Sequence, residues 1–144
     1  MLTDFEPVAL LATTPLLLLA KNAMPADDLK GFIAWLKANP DKATQGIGPV
    51  GGMAHIGGIL LQKETGTHFV FVPYRGAAPA LQDLAAGQID MAILDPTATL
   101  AQVRAGLVKA YAVTAVTRLS SAPEIPTVDE AGLPGVHVSL WQGL

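Results

Sequence analysis

The sequence predicts an α/β domain with a mostly parallel sheet flanked by helices. Three observations lead there. Helical and strand periodicities alternate through the middle of the chain, as parallel βαβ units require. The candidate strands at the start are continuous apolar runs, the pattern of strands covered on both faces. Glycine or proline stands at most of the boundaries between elements. With 144 residues, 51% hydrophobic and 15% charged, the chain is sized for one domain with a real core and is too apolar to be disordered.

The elements follow in order. "VALLAT" (8–13) and "LLLLAK" (16–21) are expected as two buried strands meeting near Pro15. The apolar run is too short and too broken for a spanning helix, which needs ~20 apolar residues. "MLTDFEP" before it carries Asp4 and Glu6 where a signal peptide would be basic, so any export signal is expected outside this chain. "PADDLKGFIAWLKANP" predicts a helix, with Asp27 and Asp28 in its first turn. Leu29, Phe32, Ile33 and Leu36 form its apolar stripe, and Asn39-Pro40 ends it. Trp35, off the stripe's centre, should be partly buried.

"KATQGI" (42–47) is a short strand, and "MAHIGGILLQKETG" (53–66) a helix closed by Gly66. Gly57 and Gly58 within it are expected to let the helix lie close to the sheet. "HFVFVP" (68–73) is a strand, "APALQDLAAG" (78–87) a helix and "IDMAIL" (89–94) a strand. Residues 97–105 form a short helix before Gly106, and "VKAYAVTA" (108–115) is a strand. Thr127 and Glu130 have capping-box spacing, and "VHVSLW" (136–141) is a last strand.

The stretch that bears on function is "QGIGPVGGMAHIGG" (45–58). Gly46, Gly48 and Gly51 have the G-x-G-x-x-G spacing of a dinucleotide loop. That reading also asks for an acidic residue at the end of the next strand, about 20 residues on, to hold the ribose. Here the strand ends Pro73-Tyr74-Arg75. An NADP-binding enzyme domain, with Arg75 on the 2′-phosphate, stays as an alternative. A Walker loop is excluded because no Gly-Lys-Ser/Thr follows. The competing reading is an anion cradle. A helix N-terminus offers unpaired amides and about half a positive charge, and glycines let a ligand approach it.

Taken together, several segments resemble the receptors of tripartite tricarboxylate transporters, the TctC-like or Bug family. They are "DFEPVALLAT", "PADDLKGFIAWLKANPDKAT", "GPVGGMAHIGG", "VPYRGAAPALQDLAAGQIDMA", "RAGLVKAYAVTAVTR" and "PEIPTVDEAGLPG", in family order across nearly the whole chain. The resemblance implies a two-lobed, type II periplasmic-binding-protein fold closing on a small carboxylate. In that family one glycine-containing loop per lobe holds the carboxylate through backbone amides and ordered waters. Residues 48–53, including Gly48, Val50, Gly51, Gly52 and Met53, look like the second lobe's loop.

The resemblance further implies a periplasmic location, membrane transporter subunits as partners, and a di- or tricarboxylate or an acidic amino acid as ligand. This chain would be the second lobe alone. Its core would span about 22–132, with 1–21 and 133–144 as crossover strands toward the first lobe. The family usually has Ser or Thr and small polar residues after the loop glycine, where Gly52 and Met53 stand here. Its polar pair after the "GQID" strand is replaced by Leu94-Asp95, and Asp95 could meet a ligand ammonium.

The remaining candidates are fewer. His55 is placed either to contact the ligand or to brace the loop. Tyr74 and Arg75, between a strand and a helix, are expected to face the cleft, with Arg75 adding positive charge. Thr97 and Thr99 offer hydroxyls beside Asp95 or serve as caps. Asp83 is expected on a solvated helix face and Asp90 at a strand start. Trp141 and the crossover strands 8–13 and 16–20 are expected to be exposed in a lone lobe. They would favour a homodimer or a lobe that only self-associates.

No catalytic residue is nominated. The chain has no Cys, and its three Ser (120, 121 and 139) lie outside any G-x-S-x-G elbow. No His or carboxylate stands at metal-ligand spacing with another, so neither metal nor cofactor is expected. A net charge of −3 without a basic cluster argues against nucleic acid.

Overall fold

The computed structural model describes residues 9–143; residues 1–7 and Val8, the first residue of the first expected strand, lie outside them. The elements are β1 (Leu10–Pro15), β2 (Leu17–Lys21), α1 (Leu29–Ala38), β3 (Thr44–Ile47), α2 (Met53–Thr65) and β4 (Val70–Pro73). They continue with α3 (Ala77–Ala85), β5 (Met91–Leu94), α4 (Pro96–Arg104), β6 (Val108–Val113) and β7 (Ser139–Gly143).

Five strands make the main sheet, in the order β4-β3-β5-β2-β6. β3 runs parallel to both β4 and β5, while β2 is antiparallel to both β5 and β6. Four strands thus point one way, with β2 inserted against them. The sheet is mixed, and its parallel half, β4-β3-β5, carries the loops of interest.

β2 is covered on both faces. Leu16, Leu18 and Ala20 join the cluster with Phe32, Leu36 and Leu61, whereas Leu17 and Leu19 join Leu81, Leu84 and Val113 on the opposite side. On the first face, Phe32 of α1 stacks 5.0 Å from the Tyr111 ring, and the half-buried Trp35 stacks on Phe32. Burial, with Asp27 and Asp28 nearby, pushes the Tyr111 phenol up to about 12. Its hydroxyl donates to the Ala26 carbonyl at 2.6 Å.

β1 departs from the expected buried pair. It is mostly exposed, with Leu10 at 67% and Leu11 at 61%, and it pairs antiparallel with β7 in a separate two-stranded ribbon. β2 offers it no free edge, being already flanked by β5 and β6. The core therefore begins at Leu16 rather than near residue 22, and buried Val136 and Val138 extend it past 132. Exposure of the crossover segments holds for 10–13 and for Trp141, at 69%, but not for 16–20.

Two acidic residues have partners that their positions in the sequence did not announce. Asp90 bridges Lys21 at 2.6 Å and accepts from the Thr44 amide and hydroxyl, tying β2 to β3. Asp83, expected on a solvated helix face, accepts the Tyr74 hydroxyl at 2.7 Å. The capping box at Thr127 and Glu130 forms in both directions, yet closes only a turn.

α2 lies close to the sheet because two glycines let it. A Cβ at Gly57 would stand 3.1 Å from the Ile93 Cδ1. One at Gly58 would stand 2.6 Å from the Phe71 Cε1 and closer still to the buried Gln45 carboxamide. In an open helix Gly→Ala gains up to ~1 kcal/mol. Here Gly58→Ala is expected to destabilise by about 2 kcal/mol through overpacking, measured by urea denaturation. A gain in stability would show that the helix is less tightly seated.

Candidate functional site

The three parallel strands β3, β4 and β5 each run into a helix at their carboxyl ends, where ligands bind open α/β sheets. The N-termini of α2, α3 and α4 therefore gather at one edge of the sheet. Between them lies an open recess of about 240 Å³. Gly48, Pro49, Gly52, Gly76, Ala77 and Asp95 line it, and its exposed wall is mostly apolar. Met53, Ile93 and Leu94 line it as well, with Leu16 and Leu140 closing it from the base of the ribbon.

The three helix starts are not equivalent. α2 begins at Gly52 and α3 at Gly76, and no side chain caps either. In α2 the His55 amide already donates to the Gly52 carbonyl at 3.0 Å, and in α3 Pro79 has no N–H. The amides of Met53, Ala54, Ala77 and Ala78 are those left to donate to something in the recess. α4 is closed: Pro96 has no N–H, and Asp95 Oδ1 accepts from the Thr97 amide at 2.6 Å. Two positive helix ends thus face the cavity, and the third is neutralised by its own carboxylate.

The glycines of the 46–51 spacing serve three separate purposes. Gly46 is buried in β3, where a Cβ would stand 2.5 Å from the Ile89 Cδ1; it is a packing glycine. Gly48 faces open space and lines the recess. Gly51 has φ +86, a left-handed conformation that favours glycine in the turn before α2. Its amide donates to His55 Nδ1 at 3.0 Å, and the His55 ring sits edge-on to Phe71 at 4.7 Å. His55 thus braces the loop, and the Gly51 amide is already engaged.

Of the residues nominated from sequence, Gly48, Gly52, Met53 and Asp95 come together around the recess. Val50, Gly51, His55, Tyr74, Arg75 and Thr97 are not among its lining residues. Tyr74 departs from the expectation that it faces the cleft. The Tyr74 side chain turns under α3 to Asp83, and burial together with that carboxylate pushes its phenol up to about 12. The phenol therefore stays neutral. Arg75 is exposed to solvent. Thr99 is buried with its hydroxyl on the Asp95 carbonyl at 2.9 Å, so its role is within α4.

Sequence reasoning passed over Gly76 and Ala77, the start of α3. The available signal was Gly76 itself, between a strand and a helix, with φ +137. Among the described residues, no group of three or more His, Asp or Glu is placed to hold a metal, and no helix is long and apolar enough to cross a membrane.

A recess between helix N-termini at the carboxyl edge of an α/β sheet marks the class of α/β ligand-binding domains. The sequence matches the tripartite tricarboxylate transporter family receptor over residues 1–144, and the chain belongs to that family. It is similar to a protein encoded in the TAR-I ttuE-ttuC′ intergenic region of Agrobacterium vitis, 36% identical over 141 residues. That match covers 98% of this chain and 41% of that protein. Among solved structures it is similar to MatC from Rhodopseudomonas palustris with bound malate, at 36% identity and a TM-score of 0.91, over 97% of this chain and 48% of that one. It is also similar to the periplasmic binding protein BugD, at 35% identity and a TM-score of 0.90, over 97% and 47% of the two chains. The chain thus spans under half the length of these proteins. Its family is one of receptors rather than enzymes.

Proposed function

We propose that this chain is one lobe of a periplasmic solute receptor, and that the recess grips a carboxylate of a small organic acid delivered to a membrane transporter. The observation that carries the reading is the pair of uncapped helix starts, α2 and α3, opening onto the same recess. Backbone amides at a helix end bind carboxylate without a basic side chain, and they do so more strongly where water is excluded. The matching receptors are about twice as long. On this reading the β1–β7 ribbon leads to a second lobe whose loop completes the site. The exposed Leu10, Leu11 and Trp141 lie on that ribbon. A half-site leaves its ligand open to water, so the lobe alone should bind in the millimolar range or weaker, on the order of 4 kcal/mol or less.

Proline offers a clean test. At the first helical position it removes one N–H and leaves the helix intact. Gly52 (φ −71, ψ 168) has the extended backbone that a following proline favours, and Gly76 (φ +137, ψ −178) lies outside the α region that a following proline disfavours. The double variant Met53→Pro/Ala77→Pro is expected to weaken malate binding about tenfold or more, since hydrogen bonds to a charged group contribute ~1.5–3 kcal/mol each. Its stability should stay within about 1 kcal/mol of the parent. Amide chemical shifts followed during a malate titration report the binding. An unchanged response in the double variant would remove the two helix ends from the mechanism.

A further inference from the structure

Asp95 is a negative charge built into a recess that otherwise attracts negative charge. It forms part of the lining, yet only one of its oxygens is engaged, by the Thr97 amide. The other oxygen has no hydrogen-bond partner among the described residues. The ion pairs found there join Lys21 with Asp90, Lys109 with Asp27, Arg118 with Glu130 and His137 with Asp129, and leave Asp95 out. Met53, Ile93, Leu94 and Leu140 form apolar wall around it. Such surroundings screen a charge less than open water does.

A ligand seated here meets donors on the α2 and α3 side and an acceptor on the α4 side. Two carboxylates on one small molecule would set the second against Asp95. A carboxylate with an ammonium group would satisfy both sides. Resting on the carboxylate reading above, we infer that Asp95 selects an amino carboxylate over a dicarboxylate such as the malate held by MatC.

The variant Asp95→Asn separates charge from fold, because Asn caps a helix about as well as Asp does. Glutarate and 4-aminobutanoate share three methylenes and one carboxylate, and differ in carrying a carboxylate or an ammonium at the other end. Butanoate, with neither, reports the carboxylate grip alone. Titrations of the full chain would follow the amides of Met53, Ala54 and Ala77. The unmodified chain is expected to bind 4-aminobutanoate about tenfold more tightly than glutarate, and Asp95→Asn to bring that ratio near one. The same ratio in both proteins, with butanoate binding, would overturn the role of Asp95 and leave the carboxylate grip standing. No response to any of the three would overturn both.

Discussion

Leu18→Ala is expected to lower the unfolding free energy by about 4 kcal/mol, among the largest effects available to a single side chain here. Leu18 lies in β2, 2% exposed, paired with Ile93 of β5 on one side and Ala112 of β6 on the other. β2 is hydrogen-bonded along both edges and packed on both faces, so the surroundings cannot easily collapse into the space left behind. The cost then adds a cavity to the lost transfer energy. Leu11→Ala removes the same atoms from the same apolar run, seven residues earlier, and should change stability by under ~0.5 kcal/mol because Leu11 is 61% exposed. Urea denaturation of the two variants measures the contrast. Equal costs would contradict the assignment of one strand to the core and the other to the ribbon.

That contrast also marks how far the sequence could be read. "VALLATTPLLLLA" is apolar on both sides of Pro15, and composition alone predicts two buried strands. What separates them is topology: β2 is enclosed by β5 and β6, and β1 finds only β7. Long-range pairing of that kind leaves no local trace, and neither does the reversed direction of β2. The elements with local signals were legible. The stripe of Leu29, Phe32 and Leu36 is buried as its spacing predicts, and Gly66 closes α2 in a left-handed conformation. Gly57 and Gly58 pack against the sheet as their place inside a helix suggested.

The candidate site was half legible for a related reason. Glycines before a helix are visible in a sequence, so the start of α2 could be found. Tyr74 and Arg75 drew attention because their side chains carry chemistry, yet it is the plain Gly76-Ala77 that reaches the recess. When backbone amides do the recognising, side-chain identity says little about which residues take part. His55 shows the converse: its ring is engaged locally, by the Gly51 amide and Phe71, in a place that sequence alone leaves open to two roles.

Thr114→Val is expected to cost about 3 kcal/mol and to loosen the ribbon before the sheet. Thr114 is 2% exposed and follows β6 directly. Its hydroxyl accepts from the Leu16 amide at 2.9 Å and stands within donating distance of the Leu16 and Val138 carbonyls, at 3.0 and 2.5 Å. The Thr114 backbone also bonds Leu16 and Val138. Leu16 is the residue after β1 and Val138 the residue before β7, so one side chain ties together the two points where the ribbon joins the main sheet. Valine keeps the shape but strands a buried amide and a carbonyl, each costing about 1–3 kcal/mol. Thr114→Ser keeps the hydroxyl and loses one buried methyl, about 1 kcal/mol. Hydrogen exchange should quicken first at the paired amides of β1 and β7 in the valine variant, while β3 and β5 stay protected. If the valine and serine variants were equally stable, with no gain in ribbon exchange, the hydroxyl would not be what holds the ribbon to the sheet.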